Sequence, residues 1–261
     1  MKRILFPALV LITLFPATIR AADPPAFTAA EVGIDEKLGA QVPLDLVLND
    51  EEGRPVKLGD LLGKPTVLTL NYFRCAGICT PLLNGVVDVI DQVQANPGQD
   101  FQFITVSFDP RDTSEIAFQK RSNYLKEIQR PIPPAAWRFL TGEAAATKAL
   151  CDAVGFKFKA QGGDFIHAGA IVILSPQGKV TRYMYGVTFL PADLQMAILE
   201  ASRGEALPTI NKWLQFCYST DPSGRGFVFS ITKAVASITI LLAGVFVAVL
   251  VFLKPRPKDK I

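Results

Sequence analysis

The alternation of apolar and polar positions predicts an α/β domain over residues 42–203. Residues 66–73 and 101–108 are apolar, β-branched runs of strand length. After the first run, apolar residues recur at helical spacing, namely Leu82, Leu83, Val86, Val87, Ile90 and Val93. Strands that alternate with helices in this way predict a mixed sheet covered by helices on both faces.

Turn and capping residues predict where these elements begin and end. Asn49–Gly53 is expected to close a β-hairpin, and Thr80 and Pro81 are expected to be the N-cap and first residue of the helix after 66–73. Asp112 and Glu115 have the spacing of a capping box for a further helix. The other predicted elements are a strand at 137–140, a helix at 143–154 ended by Gly155, a hairpin of 170–175 and 179–186, and a helix at 191–202.

The two ends of the chain predict export and membrane anchorage. Residues 1–22 have the basic start, short apolar stretch and small-residue end of a signal peptide, with an uncleaved anchor as the alternative. A tether at 23–41 precedes the domain, and a linker at 204–233 follows it. Residues 234–253 carry no charge and are long enough for a transmembrane helix across a ~30 Å hydrocarbon layer. The basic tail at 254–261 is expected in the cytoplasm, which places the domain on the periplasmic side of the inner membrane.

Composition excludes some classes of partner. The chain of 261 residues has a net charge of only +3, and its Lys and Arg residues are interspersed with Asp and Glu. No basic run interleaved with aromatic residues is present in the sequence, so a nucleic-acid partner is not expected. An exported location also allows disulfides to form.

Cys75 and Cys79 lie in the stretch NYFRCAGICTP, at a predicted strand-to-helix junction. If that segment is helical, residues at i and i+4 lie ~5–6 Å apart at Cβ. This separation suits two thiolates on one soft metal ion, and it also permits a disulfide. The spacing alone therefore favours a metal site over a structural disulfide or a redox pair without deciding between them.

His167 is the sole histidine of the chain. A lone histidine is more often structural than a ligand, but this one follows the Gly162-Gly163 loop and precedes a predicted core strand, where a sheet can present a side chain to a site. Two thiolates and an imidazole can hold Cu(I) or Cu(II), and zinc fits the same ligand types, although a structural zinc site requires four ligands.

The other two cysteines are not assigned to this site. Cys151 lies beside Leu150 and Val154 in the Ala-rich predicted helix, where a buried apolar residue is expected. Cys217 lies in the predicted linker within an aromatic stretch, and the sequence indicates no particular role for it.

Four segments, in order, resemble one known family. GKPTVLTLNYFRCAGICTPLL, ITVSFDPRDT, WRFLTG and DFIHAGAIVILSPQGKVTRYMYG are similar to the Sco/SenC family of membrane-tethered copper proteins that help to assemble cytochrome c oxidase. The resemblance covers residues 42 to about 202. It implies a thioredoxin-like fold and a metallochaperone that delivers copper to the dinuclear copper site of the oxidase, or keeps the cysteines of that site reduced.

The resemblance also implies roles for individual residues. Cys75 and Cys79 match the two thiolate ligands of the family, His167 matches the third copper ligand, and Asp109 matches an acidic residue near the copper site. The sequence departs from the family where Ala76 follows the first cysteine in place of proline, and where the predicted anchor is C-terminal. The implied partner is the copper-bearing subunit of the oxidase or another exported cuproprotein.

Two enzymatic readings compete with copper delivery. The first is a thiol-disulfide oxidoreductase that acts on cysteines of exported proteins, for which a helix beginning at Pro81 would favour a thiolate. The second, a peroxiredoxin-like peroxidase, is weaker: Arg74 precedes Cys75, but the sequence has no Thr-x-x-Cys arrangement.

Overall fold

Continuous runs of buried residues build a five-stranded sheet at the centre of the domain. The computed structural model describes residues 31–75 and 77–206, together with the backbone of 218–220 and 227–229. In chain order the described strands are β1 (Gly33–Ile34), β2 (Val47–Asn49), β3 (Pro55–Lys57), β4 (Thr66–Asn71), β5 (Gln102–Ser107), β6 (Trp137–Leu140), β7 (Phe156–Gln161), β8 (Asp164–His167), β9 (Ala170–Leu174), β10 (Val180–Tyr185), β11 (Tyr218–Thr220) and β12 (Phe227–Phe229). The described helices are α1 (Leu58–Leu61), α2 (Cys79–Gln92), α3 (Ser114–Glu127), α4 (Ala144–Ala153) and α5 (Pro191–Ser202).

The central sheet is mixed, as predicted. Its strand order is β10-β9-β4-β5-β6, in which β4, β5 and β6 are parallel and β9 is antiparallel to both of its neighbours. Along β4, Val67 packs into the core beneath α2, α3 and α5, while Leu68 and Leu70 pack into the core on the opposite face with α4. Because side chains alternate along a strand, the single apolar run of β4 contributes residues to the cores on both faces of the sheet.

Most of the predicted elements are confirmed. The hairpin around Asn49–Gly53 forms between β2 and β3, and the hairpin predicted at 170–186 forms between β9 and β10. The helix predicted at 143–154 is α4, and Gly155 follows its C-cap residue with φ +67°. A Cβ atom at Gly155 would lie 1.8 Å from the carbonyl oxygen of Asp35, so both the backbone angle and the close approach require glycine.

Two helix starts differ from the prediction. Helix α2 begins at Cys79 rather than at Pro81, and its N-cap residue is Ile78. Proline is tolerated in this first turn because the N–H groups there have no acceptor within the helix. The N-cap of α3 is Thr113, whose hydroxyl accepts from Ile116 N–H, and not Asp112. Asp112 instead accepts a hydrogen bond from the distant Phe73 N–H.

A second small sheet, of order β1-β7-β8, was not predicted. Residues 162–163, taken as a loop from the sequence, form the two-residue turn of the β7–β8 hairpin, with φ values of +59° and +92°. The sheet begins at Gly33–Ile34, inside the segment predicted as a tether, because this short strand pairs with Phe156 and Lys157. His167 is consequently the last residue of a paired strand and does not lie in a loop.

The predicted signal peptide and the predicted transmembrane helix at 234–253 lie outside the described residues. Among the described helices, none combines the length and the apolar character needed to cross a membrane. Within the predicted linker, β11 and β12 pair as an antiparallel hairpin.

Candidate metal centre

Cys75 and Cys79 lie where β4 passes into α2. The chain leaves the sheet at Asn71, turns so that Cys75 N–H donates to the carbonyl oxygen of Tyr72 at 3.4 Å, and enters the helix at Cys79. Cys75 therefore precedes the helix, so the helical i, i+4 separation, which was conditional on a helical segment, does not apply to this pair. The Sγ atom of Cys75 accepts from the backbone N–H groups of Gly77 at 3.3 Å and Cys79 at 3.4 Å. Free N–H groups at a helix start favour a negatively charged acceptor, so this position stabilises a Cys75 thiolate.

His167 faces Cys79 from the end of the β7–β8 hairpin. Its Nε2 atom lies 3.2 Å from Cys79 Sγ, and its Nδ1 atom lies 3.0 Å from the carbonyl oxygen of Ala168. A carbonyl oxygen can only accept, so Nδ1 carries the proton of the neutral ring and the lone pair of Nε2 points towards the sulfur. The imidazole packs between aromatic rings, with centroid distances of 5.9 Å to Tyr72, 5.4 Å to Phe108 and 5.7 Å to Phe156.

These three side chains form a potential metal site. One ligand atom of each lies within 4.8 Å of the others, and all three residues are less than 10% exposed. Within the described part of the chain, no other group of three or more His, Cys, Asp or Glu side chains comes together in this way. Both cysteines are free thiols. Two soft sulfur ligands and an imidazole fit copper, whereas a closed zinc site would require a fourth ligand.

The two thiols differ in their acidity. A hydrogen bond from the Cys79 thiol lowers the pKa of the Cys75 thiol to about 3, against the opposing effect of burial, and the backbone N–H of Cys79 and the Tyr72 hydroxyl act in the same direction. The same hydrogen bond and burial raise the pKa of Cys79 far above its ordinary value. One thiolate is thus present at neutral pH, and binding a metal through both sulfurs releases the proton of Cys79.

Asp109 forms an ion pair with Arg111. Its fully buried carboxylate accepts from the guanidinium of Arg111 at 2.8 Å through each of two nitrogens, Nε and Nη2. Burial alone would raise the pKa of Asp109, but the hydrogen bonds and charge of Arg111 outweigh it and lower that pKa. No hydrogen bond or ion pair of the described residues joins Asp109 directly to Cys75, Cys79 or His167.

Sequence reasoning missed two residues that hold the site in place. The hydroxyl of Tyr72 lies 3.3 Å from Asp164 Oδ1 and 3.5 Å from the carbonyl oxygen of Phe165, so it links the cysteine loop to the hairpin of His167. Burial raises the pKa of Tyr72 well above its ordinary value. Asp112 accepts from Phe73 N–H at 2.6 Å. The sequence could have predicted the position of Tyr72, because strand alternation places its side chain on the same face as those of Leu68 and Leu70 and in the same core.

Of the other residues noted in the sequence, Cys151 and Arg74 are described by the structure, and neither belongs to the group of three potential ligands. Cys151 is 1% exposed in α4, as expected for a small apolar residue, and burial raises its pKa to about 12. Cys217 lies outside the described residues. Arg74, noted beside Cys75 in the sequence, directs its guanidinium to the carbonyl oxygen of Arg111 at 2.7 Å and to Asp112 Oδ1 at 3.4 Å.

Solved structures of other proteins share this fold. A protein of Aquifex aeolicus VF5, described as a putative electron transfer protein, is 32% identical, with a TM-score of 0.59 and coverage of 66% of this chain and 98% of its own. ScoI of Arabidopsis thaliana, solved with copper bound, is 21% identical, with a TM-score of 0.50 and coverage of 64% and 98%. BsSco, described as a member of the Sco family of cytochrome c oxidase assembly proteins, is 22% identical, with a TM-score of 0.52 and coverage of 65% and 98%.

Comparison with curated protein sequences gave no match. The sequence model of the SCO1/SenC family, in contrast, matches residues 35–201, which is more than half of the chain. That match begins directly after β1 and ends within α5, so it contains the whole central sheet together with Cys75, Cys79 and His167. The chain therefore belongs to the SCO1/SenC family.

Proposed function

We propose that Cys75, Cys79 and His167 bind one copper ion as cargo. The observation that carries this proposal is the approach of two sulfurs and one imidazole nitrogen to within 4.8 Å of one another. Cu(I) prefers soft thiolates, and the added imidazole allows the same set to hold Cu(II). The copper-bound ScoI of Arabidopsis thaliana supports the choice of metal.

We further propose that the protein is anchored in the inner membrane and serves the copper-bearing subunit of cytochrome c oxidase, or another exported cuproprotein, on the periplasmic side. Membership in a family of which BsSco is described as an oxidase assembly protein supports this partner. The uncharged segment at 234–253 and the basic residues after it support the anchor and its direction.

The redox state of the cysteine pair gates the cargo in this proposal. If Cys75 and Cys79 form a disulfide, each loses the thiolate through which it binds copper, and two electrons pass to the oxidant. A disulfide of the partner protein can take those electrons, and it becomes two thiols as the pair here is oxidised. Release of copper and reduction of the partner would then be coupled.

Titration of the reduced full-length protein with Cu(I) tests the copper site. We expect one equivalent to bind tightly, a marked loss of affinity in His167→Ala, and loss of the site in Cys75→Ser. Cys151→Ser is the matched control, since Cys151 is a buried thiol outside the site, and it should bind as the unaltered chain does. Unchanged affinity in both His167→Ala and Cys75→Ser would refute the three-ligand site.

A thiol-disulfide reductase remains a second candidate because of the acidity of Cys75. In this alternative, the Cys75 thiolate attacks a disulfide of an exported partner, and Cys79 then displaces the partner from the mixed disulfide. Cys79→Ser should trap that mixed disulfide in membranes. If nothing is trapped while the unaltered protein still binds copper, both the reductase and the coupled release described above are refuted, and delivery of copper without thiol–disulfide exchange is the function.

A further inference from the structure

We propose that the turn formed by residues 109–112 positions His167 relative to the cysteine pair, with Arg111 as the positioning residue. This inference rests on the copper site proposed above and extends it to residues that would not touch the metal. The turn follows β5 and is closed by a hydrogen bond of 3.0 Å from Asp112 N–H to the carbonyl oxygen of Asp109. It contacts both of the elements that carry the potential ligands.

On the cysteine side, Asp112 holds the loop that leads to Cys75. Its buried carboxylate accepts from Phe73 N–H and from the Ser107 hydroxyl, each at 2.6 Å. Arg74 approaches the other carboxylate oxygen at 3.4 Å and donates to the carbonyl oxygen of Arg111 at 2.7 Å. The two residues directly before Cys75 are therefore fixed to the turn.

On the histidine side, Arg111 holds the β7–β8 hairpin. Its Nη2 atom donates to the carbonyl oxygen of Gly163 at 2.9 Å, at the hairpin turn, and its guanidinium carbon lies 5.5 Å from the centre of the Phe165 ring. The same guanidinium is bound through two nitrogens by Asp109, whose side chain is completely buried. A buried carboxylate with this geometry fixes the orientation of the planar group, which a lysine could not match.

The hairpin depends on such contacts because β8 is an edge strand. In the described sheets, β8 pairs with β7 alone, β7 pairs also with β1, and neither pairs with the central sheet that carries Cys75 and Cys79. The C-terminal end of β8 is joined through Ala168 and Gly169 to β9, which pairs with β4, so the backbone brings His167 to the cysteine side of the central sheet. Among the described strands, none of the central sheet pairs with the rest of the hairpin, which is held by the side-chain contacts of Arg111 at the turn and of Tyr72 along β8.

The test uses the full-length protein with the double substitution Asp109→Asn and Arg111→Gln, which removes the ion pair without leaving a lone buried charge. The matched control is Asp50→Asn with Arg54→Gln, because Asp50 is also a buried carboxylate paired with an exposed arginine, in the β2–β3 hairpin. Amide hydrogen exchange of residues 156–167 is measured in the metal-free protein. We expect exchange to be faster in the first pair of substitutions and unchanged in the control.

Cu(I) affinity is then measured with and without His167→Ala. We expect the double substitution to weaken binding about tenfold when His167 is present. It should have no further effect in His167→Ala, because the turn acts through that side chain. Arg111→Lys keeps the positive charge, and so a partner for Asp109, but loses the forked geometry of the guanidinium. Amide exchange of the hairpin in this variant should be intermediate between that of the unaltered protein and that of the double substitution.

Two results would overturn the inference. One is hairpin exchange equal to that of the unaltered protein. The other is an equal loss of Cu(I) affinity with and without His167, which would mean that the turn does not act through the histidine. Failure of the unaltered protein to bind Cu(I) would instead refute the proposed function, and the exchange measurement would still decide whether Arg111 holds the hairpin.

Discussion

The Sγ atom of Cys79 lies 3.2 Å from Nε2 of His167, although the two residues are 88 positions apart. Cys79 begins helix α2, and His167 ends the edge strand β8. Tyr72 and Arg111 contact the hairpin that carries His167, and Asp112 contacts the loop that carries Cys75. The predictions that follow address those contacts, the acidity of Cys75 and the stability of the domain that supports them.

Tyr72→Phe should lower the stability of the domain and raise the pKa of Cys75 while leaving the three potential ligands in place. The substitution removes a hydroxyl that contacts Asp164 and Phe165 but keeps the ring against His167. We expect a loss of about 0.5–1.5 kcal/mol in the free energy of unfolding, as for one hydrogen bond. The pKa of Cys75 should also rise, because the hydroxyl favours its thiolate. Denaturant unfolding and ultraviolet thiolate absorbance against pH measure the two effects, and no change in either would contradict the assigned role.

Cys75 should react with iodoacetamide at a rate that hardly depends on pH from about 5 to 8. A group whose pKa is lowered to about 3 is fully ionised above that value, so raising the pH in this range adds no thiolate. An ordinary thiol of pKa ~8.5 would react about tenfold faster for each unit of pH. Cys79 and Cys151 should stay unmodified, since their pKa values are raised and they are 4% and 1% exposed against 9% for Cys75.

Peptide mass spectrometry of the metal-free, reduced protein gives this rate for each cysteine. A steep rise of the Cys75 rate with pH would contradict the lowered pKa. The stabilisation that the Cys75 thiolate gives to the folded state is fully present above the pKa of the unfolded thiol, ~8.5, declines as the pH falls below that value, and is gone below the folded pKa of about 3.

Gly155→Ala should destabilise the domain more than Gly162→Ala. Both glycines have a left-handed backbone, with φ of +67° and +59°. A Cβ at Gly155 would overlap the carbonyl oxygen of Asp35, whereas nothing lies within 4 Å of a Cβ at Gly162. We expect a loss of about 1–2 kcal/mol at Gly162 from the backbone alone and a larger loss at Gly155. Equal losses in thermal or denaturant unfolding would show that the contact with Asp35 is unimportant.

Local patterns were sufficient to predict the central sheet. The apolar run of β4 and the helical spacing after Cys79 depend on neighbours within a few residues, so they can be recognised in the sequence. The β7–β8 hairpin was missed because Gly162-Gly163 was taken for a loop. A usable signal was present, since Phe156 and Phe158 alternate with lysines before a two-residue Gly-Gly turn, which is typical of a tight hairpin.

The site required partners that no local pattern reveals. Cys75 and Cys79 were expected to be close because of helical spacing, but they are close because the Cys75 sulfur accepts N–H groups at the start of α2. Asp112 has a capping position in the sequence, yet it binds Phe73 N–H, 39 residues away. Long-range hydrogen bonds of this kind depend on the completed fold.

The central claim is that copper binds to two sulfurs and one imidazole nitrogen. X-ray absorption spectroscopy of the Cu(I)-loaded full-length protein tests it most directly, because it counts the ligands of each type. We predict two sulfur ligands and one imidazole, and only the two sulfurs in His167→Ala. An imidazole signal that persists in His167→Ala, or a copper environment unchanged by replacing Cys75 and Cys79 with serine, would contradict the claim.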